Sequence, residues 1–273
     1  MKFELNNGVK IPAVGLGTWK SSSDDAYQAT LYALEAGYRH IDTAMIYRNE
    51  ADVGRAIRNS NISRKEVFIT SKVWNSDQGY EETIEACNES LKNLGTDYLD
   101  LYLIHWFKGY EKQLETYRAL ETLYKEGKVK AIGVSNHNVH HLQYLLDHCE
   151  VPPMVNQVET HIGLQNHFLQ EFCINNNIQL EAYAPLMSWK IKDMLENEDM
   201  MQLAKKHNKT VPQIAIRWHI QRGIVALPKS INKDRIVSNF EVFDFVLDET
   251  DMAVIRKQNK GMKLFPEFDN VDY

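Results

Sequence analysis

In the stretch YRHIDTAMIYRNE an aspartate, Asp42, ends a short apolar run and a tyrosine, Tyr47, follows it five residues on. Two more ionisable residues end apolar runs in the same way: Lys72 after VFITS and His105 after LDLYLI. Together these four could protonate a carbonyl oxygen. A tyrosine has a solution pKa near ~10, too weak an acid at neutral pH unless a neighbouring cation stabilises its phenolate. Lys72 could be that cation. A lysine in a partly dry site tends to lose its proton unless a carboxylate holds it charged, and Asp42 is at hand. His105 could then donate to the carbonyl oxygen and orient it where negative charge develops. Taken singly, the four also have plainer readings as a helix N-cap, a loop aromatic, a solvated strand end and a satisfied histidine. Their joint position at strand ends is harder to assign to chance.

For four such distant residues to meet, the chain must bring its strand ends together. Short β-branched runs alternate with longer amphipathic ones: AVGLG, YRHIDT, VFITSK, LDLYLIH, KAIGVS, MVNQVE, IQLEAY and IVALP read as strands. Helical segments lie between them, among them residues 24–36, 81–94, 112–125 and 138–147. Regular βα alternation demands parallel strands, and about eight units close into a (β/α)8 TIM barrel of ~250 residues. One α/β domain over residues 1–273 is expected, since glycine and proline are scattered at junctions and no linker appears. FELNNGVKIP, with Asn7-Gly8 at its centre, predicts a β-hairpin closing the barrel floor. In such barrels the loops after the strands build the site, so the strand ends Ser135-Asn136, Gln157 with Glu159, Tyr183 and Lys229-Ser230 join the first four.

Composition narrows the partners. The chain has 44% hydrophobic and 25% charged residues, and no apolar run approaches the ~18 residues needed to span a bilayer. MKFELNNGVK has no apolar stretch to act as a secretory signal, which points to the cytoplasm. A formal net charge of −6 without a basic block argues against nucleic acid. Nothing suggests an interface, so a monomer is expected. Cys87, Cys149 and Cys173 are odd in number and far apart, and read as buried or half-buried free thiols. Three motifs are decoys. VGLGTWK lacks the third glycine of a dinucleotide loop. YKEGK has a Tyr/Lys spacing whose helix Gly127 would break. HNVHH sets His137 and His141 one turn apart without a third metal ligand, and reads as a solvated helix face.

Reduction of a carbonyl also needs a hydride, which no side chain supplies, so a nicotinamide is required. LPKSINKDRIVSNF places Lys229, Ser230 and Arg235 in one loop and the first turn of a helix, a local anion site suited to a 2′-phosphate. In order along the chain, GLGTW, HIDTAMIYRNE, FITSKVWN, LYLIHW, GVSNH, VNQVE, AYAPL and LPKS....RI..NF resemble the aldo-keto reductase superfamily. The resemblance runs over nearly the whole chain. It implies an NADPH-dependent carbonyl reductase on a (β/α)8 barrel, with Tyr47 as general acid, Lys72 and Asp42 as its tuning partners and His105 orienting the carbonyl. It further implies that Lys229, Ser230 and Arg235 grip the cofactor's phosphate and Asn239 its adenine. Tyr183 would stack on the nicotinamide, with Ser135, Asn136 and Gln157 on the carboxamide, and Gly17, Thr18, Asp42 and Leu186 would complete the cofactor site. Ser238 stands where family members often carry glutamate, so looser adenine contacts are expected.

Trp19, Trp74 and Trp106 lie just past strand ends and are expected to wall the substrate pocket with Tyr47 and His105. The loop WFKGY is short, and little chain follows the last helix before GMKLFPEFDNVDY ends it, which predicts an open rim. These short loops resemble the microbial branch that includes diketogluconate and methylglyoxal reductases, implying a small α-keto aldehyde or diketone. Two other readings compete. Glu159 and Glu181 near strand ends could form a glycosidase pair, and a barrel like the potassium-channel β subunits would bind cofactor with little turnover.

Overall fold

The computed structural model describes residues 1–265. The apolar runs form ten strands: β1 (Lys2–Glu4), β2 (Lys10–Pro12), β3 (Leu16–Gly17), β4 (His40–Asp42), β5 (Phe68–Val73), β6 (Leu101–Ile104), β7 (Ile132–Ser135), β8 (Val155–Glu159), β9 (Gln179–Tyr183) and β10 (Val225–Leu227). β3 to β10 lie side by side in chain order, all parallel. The sheet closes on itself: Gly15 N donates to Ala226 O, Ala226 N to Ala13 O and Gly17 N to Pro228 O. These strands are buried along their length except at Gly17, Gln179 and Tyr183, as a sheet covered on both faces requires. The (β/α)8 expectation holds.

The helices are α1 (Ser23–Ala36), α2 (Glu50–Asn59), α3 (Tyr80–Leu94), α4 (Tyr110–Lys125), α5 (Val139–His148), α6 (His167–Asn175), α7 (Ile191–Leu195), α8 (Glu198–His207), α9 (Val211–Gln221), α10 (Lys233–Phe240) and α11 (Glu249–Arg256). Local chemistry sets their ends. Ser22 caps α1 by accepting from Asp25 N, and Gly37 ends it at φ 104°. Thr210 and Gln213 form a capping box on α9. α4 stops at Lys125, and Gly127 follows at φ 75°, so the YKEGK spacing never lies on one helix. Gly54 of α2 lets the α3 terminus approach closely: a Cβ there would stand 2.1 Å from Leu94 O.

β1 and β2 pair antiparallel, with Lys2 opposite Pro12. Their turn is one residue longer than a two-residue Asn-Gly hairpin. Leu5 N donates to Val9 O and Gly8 N to Leu5 O, with Gly8 at φ 85°, which makes Asn6-Asn7-Gly8 the loop. Asn6 and Asn7 donate to Pro153 O and Lys130 O, carbonyls just ahead of β8 and β7, while Leu5 and Ile11 are buried. The hairpin thus covers the end where strands begin.

Cys87 and Cys173 are buried and Cys149 is half-buried. HNVHH departs from expectation. His137 and His141 are buried, not solvated, because Phe107 lies over both rings, stacked on His141 at 3.7 Å. Burial holds His137 neutral, down to about 3. Among the described residues, no helix is long and apolar enough to cross a membrane.

Candidate active site

Asp42 ends β4, Lys72 lies in β5 and His105 follows β6, so three neighbouring strands deliver them to one end of the barrel. Lys72 Nζ donates to Asp42 Oδ1 and Oδ2 at 2.7 and 2.9 Å and to Thr43 O at 2.9 Å. With Lys72 at 1% exposure, this is a buried pair whose three ammonium donors are all engaged. Tyr47 arrives on a single helical turn, Met45–Tyr47, that Arg48 ends in the left-handed region. Asn49 holds this loop: it accepts from Thr43 Oγ1 and donates to Thr18 O and Ser21 O. Tyr47 OH then stands 3.5 Å from His105 Nε2, and Lys72 Nζ lies 5.3 Å from the phenol ring centre.

The electrostatics differ from the expected tuning. Burial first, then the Asp42 charge, push the Tyr47 phenol well above its ordinary value. The phenol therefore keeps its proton at neutral pH. Burial and the Lys72 charge push His105 well below its ordinary value, so its imidazole is neutral.

A second group of polar residues stands beside these four. Gln157 Nε2 donates to Asp42 Oδ2 at 2.8 Å and to Glu181 Oε2 at 3.1 Å. Ser135 Oγ donates to Gln157 O, Asn136 Nδ2 to His105 O, and Tyr183 OH to Asn136 Oδ1. The residues expected on a carboxamide are thus first fixed by one another. A cavity of about 600 Å³ opens over them. Its walls include Trp19, Trp74 and Trp106, and Gly17, Asp42, Ser135, Asn136, Gln157, Tyr183, Leu186 and Lys229 line it as well.

Four expected cofactor residues, Thr18, Ser230, Arg235 and Asn239, lie outside this lining. Thr18 is buried, and its Oγ1 donates to Asp42 O. Ser230 accepts from Arg235 Nε at 3.3 Å, next to Lys229, and Asn239 is buried on α10. Asn232 caps α10 by accepting from Arg235 N, so a helix start faces the same place. Burial pushes the Lys229 ammonium down, Asp25 opposes this, and the Arg235 charge lowers it further. Two crowded cations at a helix start fit an anionic phosphate, which would relieve their repulsion. The donor set therefore fits a dinucleotide with a phosphate at this end and an aromatic face, Tyr183, at the other.

The rim is less open than expected. Glu159 Oε1 accepts from Leu264 N and His161 Nε2, and Glu159 Oε2 from Phe265 N. This carboxylate straps the chain beyond α11 across the mouth, where Phe265 packs on Trp19, Tyr183 and Trp189. The rest of that tail, residues 266–273, lies outside the described residues. The glycosidase pair fails here: Glu159 is spent on the strap, Glu181 on Gln157, and both are 0% exposed.

The chain is similar to several known proteins. The model of the "Aldo/keto reductase family" matches residues 13–260. Glyoxal reductase of Bacillus subtilis (strain 168) is 50% identical over 269 residues, 98% of this chain and 96% of that protein. The crystal structure of an aldo-keto reductase enzyme from a Medee basin deep-sea metagenome library superposes with a TM-score of 0.99 at 67% identity, covering 100% of both chains. A Bombyx mori aldo-keto reductase crystallised in complex with NADP superposes with a TM-score of 0.92 at 35% identity, covering 100% of this chain and 97% of that one.

Proposed function

The chain belongs to the aldo/keto reductase family, and from that premise we propose that its substrates are small α-keto aldehydes and diketones. Its activity is NADPH-dependent reduction of aldehydes and ketones to alcohols. The observation that carries the substrate proposal is the placement of Tyr47 OH and His105 Nε2, 3.5 Å apart, at a cavity walled by Trp19, Trp74 and Trp106. The name glyoxal reductase on a relative 50% identical supports it.

Bound NADPH supplies the hydride. Neutral His105 donates from Nε2 to the carbonyl oxygen and holds it beside Tyr47 OH. As the oxygen gains negative charge it becomes far more basic than a phenolate, so Tyr47 gives up its proton even though burial has made it a weaker acid. Lys72, near the phenol ring, stabilises the phenolate that remains, and Asp42 fixes Lys72. Gln157, Ser135 and Asn136 would hold the carboxamide of NADPH, and Tyr183 would offer an aromatic face to its ring. Lys229, Ser230 and Arg235 would hold the 2′-phosphate and Asn239 the adenine, with Thr18, Gly17 and Leu186 completing the site. Phe265 and the three tryptophans exclude water from the reacting carbonyl.

We also take residues 1–273 as one domain, acting in the cytoplasm as a monomer without nucleic-acid or membrane partners; the net charge of −6 supports the absence of a polyanion partner. Initial rates with NADPH test the substrate class. Methylglyoxal and phenylglyoxal should exceed butanone in kcat/KM by about a hundredfold, and equal values would exclude it.

A further inference from the structure

Gln157 can serve a ligand in the cavity only if its amide is turned the right way, because its oxygen accepts and its nitrogen donates. Two carboxyl groups decide this. Gln157 Nε2 donates to Asp42 Oδ2 and Glu181 Oε2, and a flipped amide would set its oxygen against the Asp42 carboxylate and give up the bond its nitrogen makes to Glu181 Oε2. The planar group therefore turns Oε1 away from them, and Gln157 lines the cavity. Of the two carboxyl groups, Asp42 is already bound to Lys72. Glu181 has no such role.

Glu181 faces Gln157 across the register of β8 and β9 and is 0% exposed. The charged and titratable groups around it are Asp42, Lys72 and His40, whose Nε2 lies 3.9 Å from Glu181 Oε1. Burial, then the Asp42 charge, push Glu181 up to about 8, so at neutral pH it is an uncharged carboxyl whose carbonyl oxygen still accepts. A carboxyl group in a barrel core is costly unless it serves a partner, and Gln157 is the partner to which it is hydrogen bonded.

We infer that Glu181 is a positioning residue for the cofactor: it orients Gln157 so that the amide oxygen is the acceptor presented to the nicotinamide carboxamide. This rests on the cavity taking the nicotinamide end of NADPH, as read above.

The test is equilibrium binding by the full chain of NADPH and of 2′,5′-ADP, which carries the adenosine 2′-phosphate but no nicotinamide. Glu181→Met removes the acceptor at similar volume and should weaken NADPH by about tenfold, the worth of one well-placed hydrogen bond, with 2′,5′-ADP unchanged. Glu181→Gln keeps an acceptor oxygen and should restore NADPH binding. In a Gln157→Leu background, Glu181→Met should cost nothing further. Unchanged NADPH affinity in Glu181→Met, or parallel loss of both ligands, would overturn the assignment. Glu181→Ala carries the same comparison if the Met variant does not fold. A wild-type protein that binds 2′,5′-ADP but gains nothing from the nicotinamide half would instead remove the premise.

Discussion

Tyr47 is a weak acid made weaker by its surroundings, and that is compatible with donating a proton to a developing alkoxide. Its proton must be present when the carbonyl arrives, and burial with Asp42 nearby keeps it there. The residues proposed for the phosphate follow a different logic: Arg235 and Lys229 are crowded cations whose repulsion an anion would relieve. Arg235→Ala should therefore raise the Kd for NADPH by about tenfold or more and leave NADH nearly unchanged, as measured by quenching of protein fluorescence. An equal loss for both would exclude a 2′-phosphate contact. At this scale the sequence shows most of the proposed site, because Asp42, Tyr47, Lys72 and His105 each end or follow a readable strand. Glu181 ends no strand. Its partnership with Gln157 depends on the register between β8 and β9, which spacing along the chain does not encode. Asn49 was equally hidden within HIDTAMIYRNE, since its contacts to Thr18 and Ser21 cross two loops.

The elements position the site by pressing helices closely against a closed sheet. α2, which follows the loop carrying Tyr47, meets the end of α3 at Gly54, where any side chain would collide with Leu94 O. Backbone cannot yield as a flexible side chain can. Gly54→Ala should therefore cost about 1–3 kcal/mol of stability or more, seen as a lowered urea midpoint, and should also reduce kcat because the Tyr47 loop is tied to α2. A variant as stable as wild type would mean the two helices separate without cost. The segments read from the sequence end within a residue or two of the observed strands and helices, except that AVGLG starts three residues before β3. The strap was not legible: residues 259–265 carry no period, and contacts distant in sequence hold them, Glu159 accepting from Leu264 N and Phe265 N and Gly163 O from Lys260 N and Met262 N. The HNVHH helix misled for a related reason, since polar residue types suggested solvent while Phe107, from a loop in another unit, covered the face.

The whole molecule carries a pH dependence in its buried histidines. His40, His137 and His219 are each held down to about 3, burial being the largest cause. In the unfolded chain they bind protons near ~6.5. Between those values the unfolded state binds more protons, so stability falls as pH falls from about 6.5 towards 3. Glu181 acts in the other direction: folded at about 8 and unfolded near 4.5, it favours the fold below 4.5 and loses that contribution as pH rises through 8. Thermal unfolding should show Tm dropping between pH 7 and 5, with a smaller drop in a His40→Gln variant, which keeps a partner for Thr70. A Tm flat over that range in both wild type and Glu181→Gln, where the opposing group no longer titrates, would contradict neutral buried histidines. The barrel itself was readable from βα alternation, and its closure between residues 13–17 and 226–228 follows from the eight-strand count.

The most direct measurement is the loss of reduced-nicotinamide absorbance with purified protein, NADPH and methylglyoxal, run for wild type and Tyr47→Phe together, with NADPH affinity determined for both. Turnover in the wild type that falls by about 10² or more in the variant, at matched NADPH affinity, is the predicted result. Equal turnover in the two proteins would contradict Tyr47 as the proton donor and with it the assembly of Asp42, Lys72 and His105 around it.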